Sequence, residues 1–326
     1  MKISVTEIEN TSKAALLAHG AAEGPASHVA RAVARAEQLG NVICGLYYLE
    51  SYCTQLTSGR VNGAVDPVVS RPRPASVMAD AKFGFAQPAF AAALDEAVAA
   101  ARENGVATFA VAHSHTCTSL GFFTEQIAAK GMIAIGMTNA SPVVAPPGGN
   151  KRVIGTNPIA MTVPGPDGPR MHFDFSTSAV ALGKITMAKA AGESIPLGWA
   201  VDEHGAPTTD PEAALKGALV SAGGYKGWGF GLMVELLAAG MTGSVNSLDV
   251  SGLKLPGGKP HDLGQFYILM DPSTHGDAFD DRFARIADAV AEQEGGRIPG
   301  ADRHEMSDVD VPDALWTQVK TLAGLA

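Results

Sequence analysis

Cysteine pairs, aromatic residues, long apolar runs and an excess of positive charge are all scarce in this 326-residue chain, and each scarcity excludes something. Three cysteines (Cys44, Cys53, Cys117) form no Cys-x-x-Cys pair, which argues against a disulfide framework or structural zinc and for a reducing compartment. Lysine and arginine number 24 against 33 aspartates and glutamates, a net charge of −9. That balance leaves no basic face for a phosphate backbone, so nucleic acid is not an expected partner. The longest apolar stretches are broken by glycine or charge well short of a membrane span, and the first residues carry no apolar signal run. A soluble cytoplasmic protein with no membrane partner is the expectation. Nucleotide signatures are missing too. Gly227-Trp228-Gly229-Phe230-Gly231 lacks the third glycine of a Rossmann fingerprint, and Gly183-Lys184 meets Ile185 where a P-loop needs Ser or Thr. No Gly-x-Ser-x-Gly supports a hydrolase triad. A nucleotide would have to be held by a different construction.

What remains is a chain with 46% apolar and 17% charged residues, enough to bury a sizeable core in one large or two ordinary domains. Its first hundred residues read as mostly helical: Ala26, Val29, Ala30, Val33 and Ala36 share one face, as do Phe90, Leu94, Val98 and Ala101. Pro67, Pro72 and Pro74 punctuate an extended connection between them. From residue 106 the pattern turns to strands at 106–112, 132–138, 153–163 and 171–175, with a helix at 121–130 and a turn at 164–169. Residues 187–216 are turn-rich, and 228–241 read as a buried helix. An amphipathic helix over 279–293 is predicted to turn Phe279, Phe283, Ile286 and Val290 inward. The composition shift near residue 105 is the only boundary, and the fold class is mixed α/β (α+β).

Several constellations carry chemistry, each beside a plainer explanation. His113-Ser114-His115 closes a strand, where alternation puts both imidazoles on one face as a metal pair. One structural histidine and one at the lip of a site is the preferred reading, with no metal, because no third ligand is near. Gly155-Thr156-Asn157-Pro158 offers a hydroxyl and an amide at a fixed turn, which an ordinary β-turn explains equally well. Asp174-Phe175-Ser176-Thr177-Ser178 is either a helix cap or a ribose and phosphate cradle. Lys184 and Lys226 adjoin Gly183 and Gly227, which let backbone approach a ligand beside a cation; a solvated surface lysine is the alternative for each. Cys44, between apolar neighbours, reads as a packed thiol rather than a nucleophile.

Taken in order, these segments resemble the malate/L-lactate dehydrogenase family of the second, non-Rossmann type. Gly155-Thr156-Asn157-Pro158-Ile159-Ala160, Asp174 to Ser178, Gly183-Lys184-Ile185, Ile195-Pro196-Leu197-Gly198-Trp199-Ala200, Pro207-Thr208-Thr209-Asp210-Pro211, Gly224-Tyr225-Lys226-Gly227 and Glu235-Leu236-Leu237-Ala238 carry the likeness over essentially the whole chain. The resemblance implies a homodimer and hydride transfer to 2-oxo or 2-imino acids. It divides the chain into a helical substrate-side part (1–105), an unusual NAD(P)-binding sheet domain (106–275) and a helical segment packing back on the first part (276–326). Gly84-Phe85-Ala86-Gln87-Pro88 and the spacing from Ser114-His115 to Gly131 look most like the Δ1-pyrroline- and Δ1-piperideine-2-carboxylate reductases.

One departure shapes the chemistry. Family members usually carry Ser-His-Gly with an arginine three residues on, the histidine taken as proton donor and the arginine as carboxylate anchor. Here Ile43 and Cys44 precede Gly45, and Tyr48 stands at the arginine position. The imine reductases also carry aspartate where this chain has Lys184. Reducing a ketone develops an alkoxide that needs a positioned acid, whereas a basic cyclic imine can bind already protonated. Loss of the acid is therefore less damaging for an imine, and reduction of a cyclic 2-imino acid to L-proline or L-pipecolate is the leading expectation. A 2-hydroxy-acid dehydrogenase of malate, sulfolactate or ureidoglycolate type is the alternative, with His115 as acid and base. A catalytically silent cofactor-binding protein is the third.

Carried over residue by residue, the resemblance implies catalytic roles for His115 and Lys184. It implies substrate contacts at Cys44, Tyr48, Thr156 and Gly183. Cofactor contacts fall to His115, Thr116, Cys117, Thr118, Ser119, Asp174, Phe175, Ser176, Tyr225, Lys226, Arg297 and Arg303. NADPH is the favoured cofactor, with NADH admitted.

Overall fold

A computed structural model describes residues 1–325. The chain begins with β1 (Lys2–Ser4) and passes straight into α1 (Val5–Ala18), where Ser4 Oγ accepts the Glu7 N–H as an N-cap. After α2 (Glu23–Gln38), a 3-10 turn at Val42–Cys44 leads to α3 (Leu46–Thr57). β2 (Val68–Arg73) and β3 (Ser76–Asp80) form a hairpin; α4 (Ala86–Asn104) crosses to β4 (Val106–Ser114), and α5 (Gly121–Ala128) leads to β5 (Ile133–Thr138). Then come β6 (Ile159–Val163), β7 (Met171–Phe175), α6 (Leu182–Ala191), β8 (Ala200–Val201), β9 (Pro207–Thr208), α7 (Pro211–Lys216) and β10 (Ala218–Leu219). α8 (Tyr225–Glu235) runs into a π turn at Leu236–Gly240, and β11 (Leu263–Met270), α9 (Phe279–Ala291), β12 (Asp308–Asp310) and α10 (Asp313–Leu322) complete the chain.

Seven strands form the central sheet in the order β2-β3-β4-β11-β5-β6-β7. Only β3 and β4 run parallel, joined by the α4 crossover; every other neighbouring pair is antiparallel. β11 inserts between β4 and β5 from far along the chain, pairing Tyr267 with Phe109 on one side and Gly136 on the other. With both sides covered, the middle strands are apolar along their length rather than alternating. α4 and α5 cover one face, where Phe90 meets Phe109, Phe123 and Tyr267 at ring-centroid distances of 4.9–5.2 Å. The other face carries Ala110, Met137 and Phe266 against Val234 and Ala238 of α8 and its π turn.

A second core joins α1, α2, α3 and α10 beside the β1–β12 pair, around Leu16, Val33, Leu49 and Trp316. A third, smaller one lies between α6, α7 and the sheet β10-β8-β9, around Ile185, Ile195 and Leu219. The mixed α/β class expected from the sequence is the class observed. Among the described residues, no helix is long and apolar enough to cross a membrane.

Several expectations change in detail. The proline-punctuated stretch is the β2–β3 hairpin, with Pro72 in an edge strand, where its missing N–H costs nothing. The strand expected over 153–163 is regular only from Ile159, because Val153 and Ile154 pair with Val144 instead. The turn-rich stretch 187–216 holds the end of α6 and all of α7. The helix expected to be buried over 228–241 starts at Tyr225 and turns its small residues inward. A Cβ on Gly227 would lie 2.0 Å from Ala222 O, and one on Gly231 2.6 Å from Ile154 Cδ1, so the larger residues face out. α9 is amphipathic as expected, but none of its residues is buried. The Arg170 guanidinium lies over Phe279 and Phe283 and pairs with Asp280, while Ile286 remains 62% exposed.

The π turn lies flat on the sheet only because β11 has glycine at 264, beside a register shift. A Cβ there would stand 1.7 Å from Ala238 O and 2.4 Å from Thr242 Oγ1. Gly264→Ala is therefore expected to cost ~3 kcal/mol, read as a lowered denaturant midpoint; an unchanged midpoint would refute the close approach.

Candidate active site

The loop that leaves β4 sets the geometry. His113 takes a left-handed φ of 52°, which breaks the alternation that would have paired it with His115. Its Nδ1 lies 2.8 Å from Asp262 Oδ1 and its N–H donates to Ser244 Oγ. The two imidazoles thus serve different partners and form no metal pair. His115 is fully buried between Tyr52 and Phe85 and stacks on His261 at 3.9 Å.

Helix α3 explains how His115 is held. Tyr48, Tyr52 and Gln55 fall on one helical face. The Gln55 amide donates to Leu253 O and Leu255 O, both at 2.8 Å, so its oxygen must be the atom facing His115 Nε2, 2.5 Å away. That fixes the proton on Nε2 and leaves Nδ1 as an acceptor without a partner. Burial pushes the His115 pKa well below its usual range, helped by the neighbouring His261 and Arg60, so the ring is neutral. Burial and Arg60 also take His261 down to about 3.

Arg60 is itself buried, and among the described residues no carboxylate pairs with it. Its donors reach Gly252 O, Leu255 O, Lys259 O and Ser251 Oγ at 2.6–3.0 Å. With Tyr48 and Ser58, whose hydroxyls donate to Leu253 O and Pro256 O, it straps residues 251–259 across α3. The strap and α3 seal the His115 layer from solvent.

Beside this layer lies a recess of about 340 Å³ lined by Asn41, Ser119, Asp174, Gly300 and Arg303 among others. Asp174 keeps accessible surface but sits deep enough that desolvation raises its pKa, against the donors that favour its charge. Its Oδ2 accepts the Gly121 N–H at 2.7 Å, so it caps α5 from a neighbouring strand. Arg303 pairs with Glu125 at 2.6 Å, and Glu125 also holds Arg35 at 3.0 Å. His172 N–H donates to Pro299 O, fastening this C-terminal stretch to β7. Arg297 is exposed on a shallow hollow with Arg303. A larger hollow of about 650 Å³ lies behind the Arg35–Glu125 wall, between α1, α2 and the β6–β7 turn, and contains none of the expected site residues.

Three loops meet on the next side. Thr177 donates to Thr156 O from both its N–H and its hydroxyl, and Ala222 N–H donates to Thr177 O. Gly223 and Gly224, each at φ 64°, then turn the chain into α8, whose first turn carries exposed Tyr225 and Lys226 without a side-chain cap. Asn157 is buried at φ 37° and donates to Gly231 O and Glu235 Oε2. Glu235 also accepts from Ser247 N–H and Oγ, both at 2.6 Å.

The expected residues therefore divide. Cys44, Tyr48, Thr118, Ser119, Asp174 and Arg303 gather around the recess and the α3 face, and Gly183 faces Ile43 from the start of α6. Burial, then Asp174, pushes the Cys44 thiol up to about 12, so it is unreactive. Thr156, Ser176, Tyr225 and Lys226 line the adjoining loop cluster. Thr116 and Cys117 are buried, Phe175 is exposed and stacked on Phe173, and Lys184 projects into solvent. Gln55, Arg60 and His261 escaped the sequence reading. The Tyr48, Tyr52, Gln55 spacing was a visible signal for the first of them, but nothing local marks a buried arginine whose partners lie two hundred residues away.

A loop-built site on a mixed sheet, with a bare helix N-terminus and scattered cations, suits an oxidoreductase that does without a glycine fingerprint. The chain belongs to the malate/L-lactate dehydrogenase family, whose model matches residues 3–320. It is 38% identical over 328 residues to the (2R)-3-sulfolactate dehydrogenase (NADP(+)) of Chromohalobacter salexigens, covering 98% of both chains. It is 36% identical over 327 residues to the Δ1-pyrroline-2-carboxylate/Δ1-piperideine-2-carboxylate reductase of Pseudomonas putida, covering 100% of this chain and 96% of the relative. The crystal structure of Δ1-piperideine-2-carboxylate reductase from Pseudomonas syringae superposes with a TM-score of 0.91 at 33% identity, covering 99% of each chain.

The buried histidines set an acid limit on the fold. Desolvation, with Arg303 nearby, lowers His172 to about 4, below its unfolded value of 6.5. The unfolded chain therefore takes up a proton that the folded chain refuses, so stability present above pH 6.5 is lost as pH falls towards 4, by ~3 kcal/mol for this group. His172→Gln is expected to reduce the proton uptake on unfolding by about one in that window, measured from denaturation midpoints against pH; an unaltered slope would contradict it.

Proposed function

We propose that this protein is an NADPH-dependent reductase of a cyclic 2-imino acid, Δ1-pyrroline-2-carboxylate or Δ1-piperideine-2-carboxylate, yielding L-proline or L-pipecolate. The observation that carries the reading is that the candidate acids nearest the α3 face are held in weakly acidic or uncharged forms. His115 is neutral and sealed, burial raises the Tyr48 hydroxyl, and the Cys44 thiol is pushed up to about 12. At the α3 face a ketone would develop an alkoxide with no ready donor, Asp174 in the adjoining recess being engaged as the cap of α5, while a cyclic imine enters carrying its own proton. The names of the Pseudomonas relatives point the same way.

The cofactor reading rests on the donor set. Lys226, the uncapped start of α8 and the hydroxyls of Ser119 and Ser176 suit the phosphates and riboses of a dinucleotide, and Arg303 adds a cation at the recess. When bound, the dihydronicotinamide supplies the hydride. The chain's part is to hold the imino acid between Tyr48, Cys44 and the Gly183 turn, to keep water off with the 251–259 strap, and to retain the substrate proton by offering no strong base. NADP(+) in the name of the sulfolactate relative favours NADPH. In this reading residues 106–275 bind the cofactor, while 1–105 and 276–326 form the substrate side. Three unpaired cysteines suit the cytoplasm.

A second reading, a 2-hydroxy-acid dehydrogenase, is favoured by the 38% identity to the sulfolactate enzyme. It needs His115 uncovered and working as acid and base. We also infer a homodimer. Phe230, Met233, Leu236 and Met241 stand exposed on and beyond α8, an apolar face suited to a second copy.

Purified protein is expected to oxidise NADPH at least ~100-fold faster, in kcat/KM, with a cyclic 2-imino acid than with sulfopyruvate, oxaloacetate or pyruvate. His115→Ala is expected to keep turnover within ~10-fold. The reverse ranking, together with loss of turnover in His115→Ala, would establish the hydroxy-acid reading instead. Sedimentation is expected to report twice the chain mass and Leu236→Asp to shift it towards the monomer; a monomeric wild type would remove the dimer.

A further inference from the structure

The arginines near the substrate side are already committed, which makes a lysine without an ion pair beside them informative. Arg60 spends its guanidinium on the carbonyls and the hydroxyl of the strap, and Arg35 and Arg303 are both paired to Glu125. Lys254 sits in the middle of that strap. Leu253 O, one residue before it, accepts from both Tyr48 and Gln55, and Leu255 O, one residue after, accepts from Gln55 and Arg60. Its backbone is thus pinned to the helix face that also holds His115.

The side chain is placed as well. Lys254 Nζ lies 3.5 Å from the Tyr47 ring centroid and 5.2 Å from that of Tyr48. Among the described residues it makes no ion pair, whereas Lys13, Lys130, Lys189 and Lys216 do. Its positive charge reaches Cys44, where it favours the thiolate. The ammonium therefore stands close to Tyr48, within electrostatic reach of Cys44, exposed on a flexible stem. On its outer side it borders a groove with Glu50 and Gln318 of α10.

We propose that Lys254 is the cation that receives the substrate carboxylate, delivered from the strap rather than from α3. The proposal deepens the functional reading and rests on it only in that the substrate is a small 2-imino or 2-oxo acid. A carboxylate entering past Cys44 and Tyr48 meets a charge held in place on the aromatic faces of Tyr47 and Tyr48. No residue of α3 needs to be basic for this, because the strap's hydrogen bonds fix where the lysine starts from.

The test compares Lys254→Met and Lys254→Arg with the wild type on whichever acid the wild type reduces. Lys254→Met is expected to raise the KM for that acid ~30-fold, with kcat within ~3-fold and the KM for NADPH unchanged. Lys254→Arg is expected to recover most of the loss. Pyrrole-2-carboxylate, a planar probe, should lose inhibition by a similar factor in Lys254→Met, while pyrrole-2-carboxamide should be unaffected. An unchanged substrate KM, or equal losses for the two probes, would show that the ammonium only covers Tyr47. Failure of the imine reading would appear in the wild-type substrate ranking, and failure of the lysine role only in the variants.

Discussion

A guanidinium buried without a carboxylate is costly, and proteins accept one only where enough oxygen atoms replace the lost water. Arg60 meets that condition with three backbone carbonyls and a hydroxyl, all from residues 251–259. The bargain runs both ways. The loop has no regular secondary structure beyond turns, and several of its carbonyls reach hydrogen-bond partners only through Arg60, Gln55, Tyr48 and Ser58. Removing the arginine would strand the loop, and removing the loop would strand the arginine. The His115 tautomer, the seal over its ring and the position of Lys254 all descend from this one mutual dependence.

The opposite side of the site depends on a different buried charge. Glu235 accepts from Asn157, Asn246 and Ser247, fixing the left-handed Asn157 and, through Thr156 and Thr177, the turn that starts α8. Its two oxygens thus meet four side-chain and backbone donors and, among the described residues, no cation. It stands at the junction of α8 with a π turn, a geometry often retained where a site needs it. The substrate wall and the loop cluster are thus organised independently, one by a cation on carbonyls and one by an anion on amides and hydroxyls.

Periodicity made the large elements legible. The apolar runs at 106–112 and 132–138 read as strands, and the three-to-four spacing at 26–36 and 90–101 as helices with one buried face. Periodicity could not show that β11 would enter between β4 and β5, since that pairing is decided by contacts more than a hundred residues apart in sequence. It misjudged α8 for a physical reason: close approach selects glycine for the inner face, so the hydrophobic residues that look like core are those left outside. Candidate site positions were legible where a short motif bends the backbone, as at Asn157 and Gly224. They were illegible where function is passed through a side chain to distant backbone, as at Gln55 and Arg60. Asp174 falls between, because both of its readings, cap and cradle, use the same carboxylate, and the structure displays the cap.

The missing dyad finds its meaning in this division. Cys44 stands half-buried just before α3, where burial and Asp174 raise its thiol and Asn41 and Lys254 oppose them, so a neutral thiol occupies the position at which a histidine would cycle a proton. A neutral thiol there removes the acid that a ketone would need. A cyclic iminium is already charged and needs no such donor, and in our proposal the Lys254 ammonium answers its carboxylate. Replacing the arginine by Tyr48 then follows from geometry: the phenol ties down the strap, and the strap brings the cation that the helix no longer carries. Cys44 at the end of the 3-10 turn and Tyr48 in the first turn of α3 stand four residues apart, so under the proposal acid loss and cation relocation concern one stretch of chain and one facing loop.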